Sequence, residues 1–319
     1  MNIAIRPGNL PQEYPAIAAV LKAESPDWGA TAEELAYDDA SREPRYHHAA
    51  FVAEAADGNN TLIVGVAFAE QDTLAHSAGR FELNIRVPPD WQGRAFGKAL
   101  YQATMSHLAT LGAREVTSMV WQAHPRAARF LIERGFAEVW QRVDSSLDVA
   151  DFDWTPYAGL EQQVRALGIE VTTYAELADD PVRLMKLYDL DWALWQDIPY
   201  GQAVVQRSLE QFAAAEVNHP DYLPDACFIA IKHGEFVGYS NLLEVEEGFS
   251  TDMTGVLRPD RGKGVATLLK LRGIRYAQEH GKAKLWVVND SVNVAMLGLN
   301  AKLGFVREGV NVRYLKVIE

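Results

Sequence analysis

The chain has 319 residues, 48% apolar and 23% charged, the composition of an ordinary globular protein of about two domains with no low-complexity stretch. Thirty Lys and Arg against forty-three Asp and Glu leave a net charge of −13, which argues against a nucleic-acid partner or an anionic membrane surface. The single cysteine, Cys227, excludes an intramolecular disulfide and a multi-cysteine zinc site; no apolar run approaches a membrane span and no signal-peptide pattern opens the chain, so a cytoplasmic location is expected.

In chain order, Ile3–Arg6 alternates as a short strand, and Pro15 leads a helically spaced apolar run to Glu24. Phe51–Ala53 and Leu62–Phe68 flank the polar turn Asp57-Gly58-Asn59-Asn60 as a hairpin. A third strand, Phe81–Val87, precedes a glycine-containing loop and a long helix ending near Gly112. Strand Glu115–Trp121, a helix, Gly135-Phe136 and strand Arg142–Leu147 follow. The order then repeats. Ile169–Thr172 is a strand, Pro181 leads helix Val182–Asp191, and Phe228–Ala230 pairs with Phe236–Leu242. Strand Thr251–Leu257, a loop, a helix ending near Gly281, strand Lys284–Val288, a further helix and Gly304-Phe305 complete it. Between Val87 and Phe136 the second copy is offset by 169 residues without a gap, and residues 87/256, 93/262, 100/269, 112/281, 135/304 and 136/305 are identical. The reading is an α/β (α+β) chain of two tandem domains, each a central mixed sheet flanked by helices. Residues 1–150 form the first, 151–167 a linker with helical spacing over Leu160–Leu167, and 168–319 the second.

Charge is distributed unevenly. Between Arg258 and Lys284 eight basic residues face only Asp260 and Glu279, inside an acidic chain. That stretch opens on a small-residue loop between a strand end and a helix start, Val256 to Ala266, as does Val87 to Lys98 in the first copy. Such a junction offers unpaired main-chain N–H groups and the positive end of the helix dipole, the ingredients of a phosphate cradle. The spacing fits neither a nucleotide P-loop nor a dinucleotide fingerprint: Lys98 is followed by Ala99, Lys263-Gly264 by Val265, and Gly262-x-Gly264 lacks its third glycine.

Arg261-x-x-Gly264-x-Ala266, with the near match Gln92-x-x-Ala95-x-Gly97, resembles motif A of the GNAT N-acetyltransferase superfamily. Asn289 to Phe305 resembles its downstream segment in spacing. The duplicated layout is similar to that of mycothiol synthase-type tandem GNAT proteins, with no residue here that identifies that substrate. The resemblance implies acetyl-CoA as cosubstrate, its pantetheine arm along Thr254, Gly255 and Val256. Its pyrophosphate would lie on the amides of Gly262, Lys263, Gly264, Val265, Ala266 and Thr267, with Arg261 and Lys263 on the outer oxygens and Asn293 near the pantetheine or the pyrophosphate. The first-copy counterparts are Val87, Gly93, Arg94, Ala95, Phe96, Gly97 and Lys98, with His124 in the place of Asn293.

The implied reaction is acetyl transfer to a primary amine of a small molecule or peptide, by direct attack in a ternary complex. The Val256 N–H would stabilise the oxyanion. Asp252, on the same strand face as Val256, is the candidate carboxylate; Glu244, Glu246 and Glu247 are runners-up through a water. The superfamily's tyrosine, seven residues past the asparagine, is replaced by Asn300 here and by Leu131 in the first copy. Tyr314 or water would then serve as acid, and the second copy is read as catalytic and the first as degenerate. Trp195 and Tyr200 read either as acceptor-pocket residues or as core, and Cys227 reads as core. The histidines show no ligand spacing, so no metal is expected. A non-catalytic CoA-binding or scaffold protein is the competing reading. The duplication suits either a monomer with an internal pseudo-dimer or a homodimer.

Overall fold

The structure is a computed structural model that describes residues 3–25, 29–57, 60–72, 79–198, 204–245 and 248–318. After strand β1 (Ala4–Pro7), helix α1 (Tyr14–Glu24) carries Pro15 in its first turn and buries Tyr14, Ile17 and Val20, the 3.6-residue stripe of its sequence. Helix α2 (Ala32–Ser41) starts at a capping box: Thr31 Oγ1 accepts from the Glu34 amide at 3.1 Å, and the Glu34 carboxylate accepts from the Thr31 amide at 2.6 Å. Strands β2 (His48–Asp57) and β3 (Asn60–Gln71) form the hairpin, followed by β4 (Arg80–Arg86), α3 (Phe96–Thr110), β5 (Glu115–Trp121), α4 (Pro125–Ile132) and β6 (Ala137–Asp148).

The second copy adds a helix in front, α5 (Leu160–Ala166), then runs β7 (Ile169–Thr173), α6 (Arg183–Trp195) and the short α7 (Leu209–Phe212), which widens into a π turn over Ala213–Val217. Strands β8 (Tyr222–Lys232), β9 (Glu235–Val245) and β10 (Gly248–Val256) lead to α8 (Val265–Glu279), β11 (Lys284–Asp290), α9 (Val294–Lys302) and β12 (Val306–Val317).

Two compact units result, one of residues 1–140 and 311–319, the other of residues 141–310. In the first the strand order is β1-β2-β3-β4-β5-β12; in the second it is β7-β8-β9-β10-β11-β6. The copies thus share one topology but trade their sixth strands. Arg142–Asp148 pairs antiparallel with β11, from Arg142↔Asp290 to Asp148↔Lys284. Asn311–Val317 pairs in the same way with β5, from Asn311↔Trp121 to Val317↔Glu115.

Each unit contains one parallel pair, and each pair comes apart early. Strand β4 is in register with β5 only over Arg80–Glu82, and β10 with β11 only over Gly248–Thr251. Past Thr251 the backbone of β10 bulges, then resumes its pairing with β9 at Thr254↔Ser240, Gly255↔Tyr239 and Val256↔Gly238. Its other edge is left open. The second unit is closed around Val265, Leu268, Leu269, Leu271 and Ile274 of α8, which pack on Val237, Leu242, Val256 and Leu285. Leu100 and Phe96 of α3 do the same against Val64 and Ala67 in the first unit. Truncating one such buried leucine costs about 2–5 kcal/mol, so both helices, and the loops that precede them, are firmly placed.

Candidate functional site

The loop entering α8 is shaped residue by residue. Arg258–Asp260 makes one 3-10 turn, Arg261 is extended (φ −69°, ψ 158°), and Gly262 and Gly264 take left-handed conformations at φ 72° and 84°. The first unit repeats the path: Pro89–Trp91, then Gln92 at φ −68°, ψ 155°, Gly93 at φ 79° and Ala95 at φ 66°. An alanine held there costs about 1 kcal/mol that glycine avoids. At 264 a Cβ would in addition stand 2.7 Å from Leu160 Cδ1 of α5, which would have to shift.

These conformations turn six consecutive amides, Gly262 through Thr267, away from any acceptor among the described residues; the first backbone bond of the helix is Leu268 N–H to Gly264 O at 2.9 Å. Gly93 through Lys98 do likewise, ahead of Ala99 N–H to Ala95 O at 3.0 Å. Ordinary helix starts leave their first few donors unpaired. Here the preceding loop adds more, clustered at the positive end of the dipole.

Next to the amides lies the open strand edge. Leu257 N–H donates to Val237 O at 2.8 Å, so the alternation of a strand turns the N–H and C=O of Val256 toward the side that β11 has left. The Val256 carbonyl is taken by Arg261 Nε at 2.7 Å. In the first unit Gln92 Nε2 donates to Val87 O at 2.9 Å, so either residue of the motif serves to tie the loop to the strand end. This changes the reading of Arg261: its guanidinium is spent on Val256 and on an ion pair with Asp197 rather than held out toward a phosphate. Arg258 shares Asp197, and the two guanidinium groups, Arg258 foremost, hold that carboxyl below its ordinary range. Lys232 and Lys263 both donate at 2.8 Å to Asp260, a buried carboxylate that they likewise pull down. Lys263 therefore brings its positive charge to the cradle on a fixed tether. In the first unit Arg94 lies over the Trp91 ring at 4.9 Å, and Arg94 and Lys98 are exposed.

Asn293 caps α9, accepting from the Met296 amide at 3.2 Å, whereas His124 at the start of α4 makes no side-chain cap. Asn300 is buried and donates through Nδ2 to Asn289, leaving its Oδ1 without a partner; it carries no group that titrates. Tyr314 stands on β12 opposite Ser118, buried in the first unit, and is not among the residues the second unit gathers around Asp252. Glu244 is engaged by Lys282 at 2.7 Å, while Glu246, Glu247 and Tyr200 lie outside the described residues.

Around the bulge of β10 the structure brings together the predicted Asp252 and carboxylates that sequence spacing did not single out. Asp252 is exposed and accepts from Asn241 Nδ2 at 3.1 Å; Asn241 Oδ1 in turn accepts the Met253 amide at 3.0 Å. Asp191, on the buried stripe of α6, accepts from the Tyr239 hydroxyl at 2.6 Å and from Trp195. Glu216, in the π turn, accepts from Arg207 at 2.7 Å. Burial raises Asp191 to about 6, against the hydrogen bond from Tyr239, and raises Glu216 to about 7, with the Asp252 charge adding to the rise. Cys227, fully buried on β8, is pushed up to about 12 by desolvation and is inert core. The one signal in the sequence was Asp191 itself, a carboxylate among Leu187, Leu190 and Leu194.

Twin strand–loop–helix junctions, each beside a parallel pair that splays open, define a tandem α/β fold. The chain belongs to the Acetyltransferase (GNAT) family, whose profile matches residues 17–136 and 184–305. It is 25% identical over 297 residues to the mycothiol acetyltransferase of Amycolatopsis mediterranei (strain U-32), an alignment covering 88% of this chain and 92% of that one. Among solved structures it is similar to a tandem GNAT protein from the clavulanic acid biosynthesis pathway (TM-score 0.72, 16% identity, covering 99% of this chain and 98% of that one). It is also similar to a GCN5-related N-acetyltransferase from Sphaerobacter thermophilus (TM-score 0.68, 18% identity, 99% and 95% covered). No helix among the described residues is long and apolar enough to cross a membrane.

Proposed function

We propose that the protein transfers an acetyl group from acetyl-CoA to a primary amine of a small molecule or peptide, and that the second unit carries the reaction. The observation that supports this most directly is the run of six unpartnered amides from Gly262 to Thr267 beside the open edge of β10. A thioester of coenzyme A needs both: donors for a pyrophosphate and an unpaired strand for a peptide-like arm. When bound it supplies the activated acyl carbon.

The remaining work falls to the chain's own groups. Gly262 through Thr267 bind the pyrophosphate, with the charge of Lys263 nearby. Thr254, Gly255 and Val256 align the pantetheine. The Val256 N–H, pointing to the open edge, polarises the carbonyl that is attacked. Holding amine and carbonyl in register supplies much of the rate, with no covalent enzyme intermediate. A CoA thiol leaves readily enough that water serves where the family's tyrosine is replaced by Asn300. The first unit, with Ala95 and His124 in place of Gly264 and Asn293, is read as a structural or cofactor-holding copy. The mycothiol acetyltransferase to which the chain is similar lends it the reaction class alone.

Isothermal calorimetry with acetyl-CoA, followed by thiol release over a panel of amines, tests the reading. Binding with micromolar affinity and amine-dependent release of CoA are expected. No heat with acetyl-CoA would overturn it.

A further inference from the structure

The carboxylates around the β10 bulge differ in what they are free to do. Asp191 is 7% exposed and already committed to Tyr239 and Trp195. Asp252 is fastened to Asn241, and Asn241 to the Met253 amide, so this pair pins the bulge between Thr251 and Thr254. Glu216 is different. One oxygen accepts from Arg207; the other has no hydrogen-bond partner among the described residues, and 30% of the side chain remains open to solvent. It is partly covered by protein yet still reachable from solvent. The turn that presents it is a π turn, Ala213–Val217, a form that recurs at functional sites because it re-aims one side chain.

Resting on the acyl-transfer reading, we propose that Glu216, and not Asp252, receives the proton of the acceptor ammonium, and that the carboxylates around it favour primary amines with no carboxylate beside the nitrogen. The second clause follows from charge. The groups that face Glu216 are Arg207 from the segment before α7, Asp191 from α6, Asp252 from β10, Tyr222 and Cys227 from β8 and Tyr239 from β9. Arg207 is paired to Glu216 itself, so among the described groups that act on Glu216 an incoming carboxylate meets Asp191 and Asp252 and no second cation. A cationic amine meets the opposite field.

The proton balance is simple. The ammonium gives one proton to the Glu216 carboxylate, and the freed nitrogen pair forms the C–N bond to the acyl carbon. The C–S bond breaks with its pair on sulfur, the second amine proton passes to the thiolate, and the Glu216 carboxyl returns its proton to solvent. A base that ionises near neutrality suits a protein working at pH 7, and burial with the neighbouring Asp252 places Glu216 in that range.

Three readouts test the proposal. With acetyl-CoA and putrescine, tyramine or propylamine, the wild-type kcat/KM should show a rising limb near pH 7. Glu216→Gln should lower kcat about 100-fold and erase that limb, with calorimetric affinity for acetyl-CoA unchanged, whereas Asp252→Asn keeps the limb but moves it to lower pH, since the Asp252 charge adds to the rise of Glu216. In ligand-free protein labelled with 13C-glutamate, the carboxyl resonance missing from Glu216→Gln should titrate near neutrality. Amines without a carboxylate should be preferred over alanine by tenfold or more. If Glu216→Gln fails to fold, Glu216→Asp should keep the limb at reduced kcat. The proposal is overturned if Asp252→Asn removes the limb while Glu216→Gln keeps it, if the resonance titrates at an ordinary glutamate value, or if alanine is the better acceptor. Retained acetyl-CoA binding and wild-type turnover in those cases would leave the acyl-transfer reading standing; absence of turnover with every amine would remove both.

Discussion

Arg261 Nε donates to the carbonyl oxygen of Val256 at 2.7 Å, closing the loop back onto the strand from which it departs. Gln92 makes the corresponding bond to Val87 in the other unit, so the geometry needs a side-chain N–H of the right reach and not a positive charge. Arg261→Gln should therefore bind acetyl-CoA within about threefold of wild type, although the pair with Asp197 is gone. Arg261→Ala, which leaves the carbonyl unmet and the loop untied, should weaken binding about 5- to 10-fold, the equivalent of about 1 kcal/mol. Calorimetric titration of the two variants decides between an anchoring and an electrostatic role; equal losses would show that charge matters instead.

Gly264 and Ala95 occupy the same left-handed step of the two loops, at φ 84° and 66°. Gly264→Ala meets both the backbone penalty and Leu160 Cδ1, and should cost about 1–3 kcal/mol in urea unfolding. Adding Leu160→Ala should return the steric part, giving a non-additive pair. Ala95→Gly should gain about 0.5 kcal/mol, since the strain relieved slightly exceeds the added chain entropy.

That loop was legible because its signals are local. A glycine two residues ahead of the helix cap, with a glycine or alanine at the cap itself, marks the path in both copies, and the offset of 169 residues placed them. Beyond the local range the sequence was silent. Nothing in the alternation of Arg142–Leu147 says which strand it will pair with, so its place beside β11, and that of Asn311–Val317 beside β5, could not be read. Arg261 finds Asp197 across sixty-four residues of chain. Glu216 sits in Ala-Ala-Ala-Glu-Val, which reads as ordinary helix; only the π turn and the burial set it apart. The duplication and the path of the loops were thus visible, while the carboxylate proposed as proton acceptor is set apart only by tertiary packing.

The traded strands predict a dependence of the first unit on the end of the chain. Lys316 of β12 donates to the Arg134 carbonyl at 2.8 Å and to the Tyr101 hydroxyl at 3.2 Å, and Val312 and Tyr314 are buried beside them. A chain ending at Val310 leaves β5 paired only with β4, over Glu115–Thr117. Amide exchange over Val116–Val120 should accelerate by orders of magnitude, with β8 and β9 protected as before. Equal deprotection in both units would show that the two unfold as one.

Lys270 presents the sharpest contrast between the copies. It stands on α8 where Tyr101 stands on α3, against Phe305 as Tyr101 stands against Phe136. In the first unit Lys316 satisfies the Tyr101 hydroxyl. In the second, Leu147 occupies the position of Lys316, opposite Leu285 as Lys316 is opposite Val116. The Lys270 ammonium is therefore buried without a hydrogen-bond partner among the described residues, and desolvation lowers it to about 7. Its unfolded value is the ordinary one for lysine, so from about pH 10 down to 7 the unfolded chain takes up a proton that the folded chain resists. Stability is lost as pH falls through that window and changes no further from this group below it. Lys270→Met, of similar volume, should be more stable than wild type by roughly 2–4 kcal/mol at pH 6, with the advantage shrinking toward zero near pH 10.5. Thermal or urea melts of both proteins across pH 6–10 measure it directly. A pH-independent difference would mean that the amine keeps its charge in the folded state.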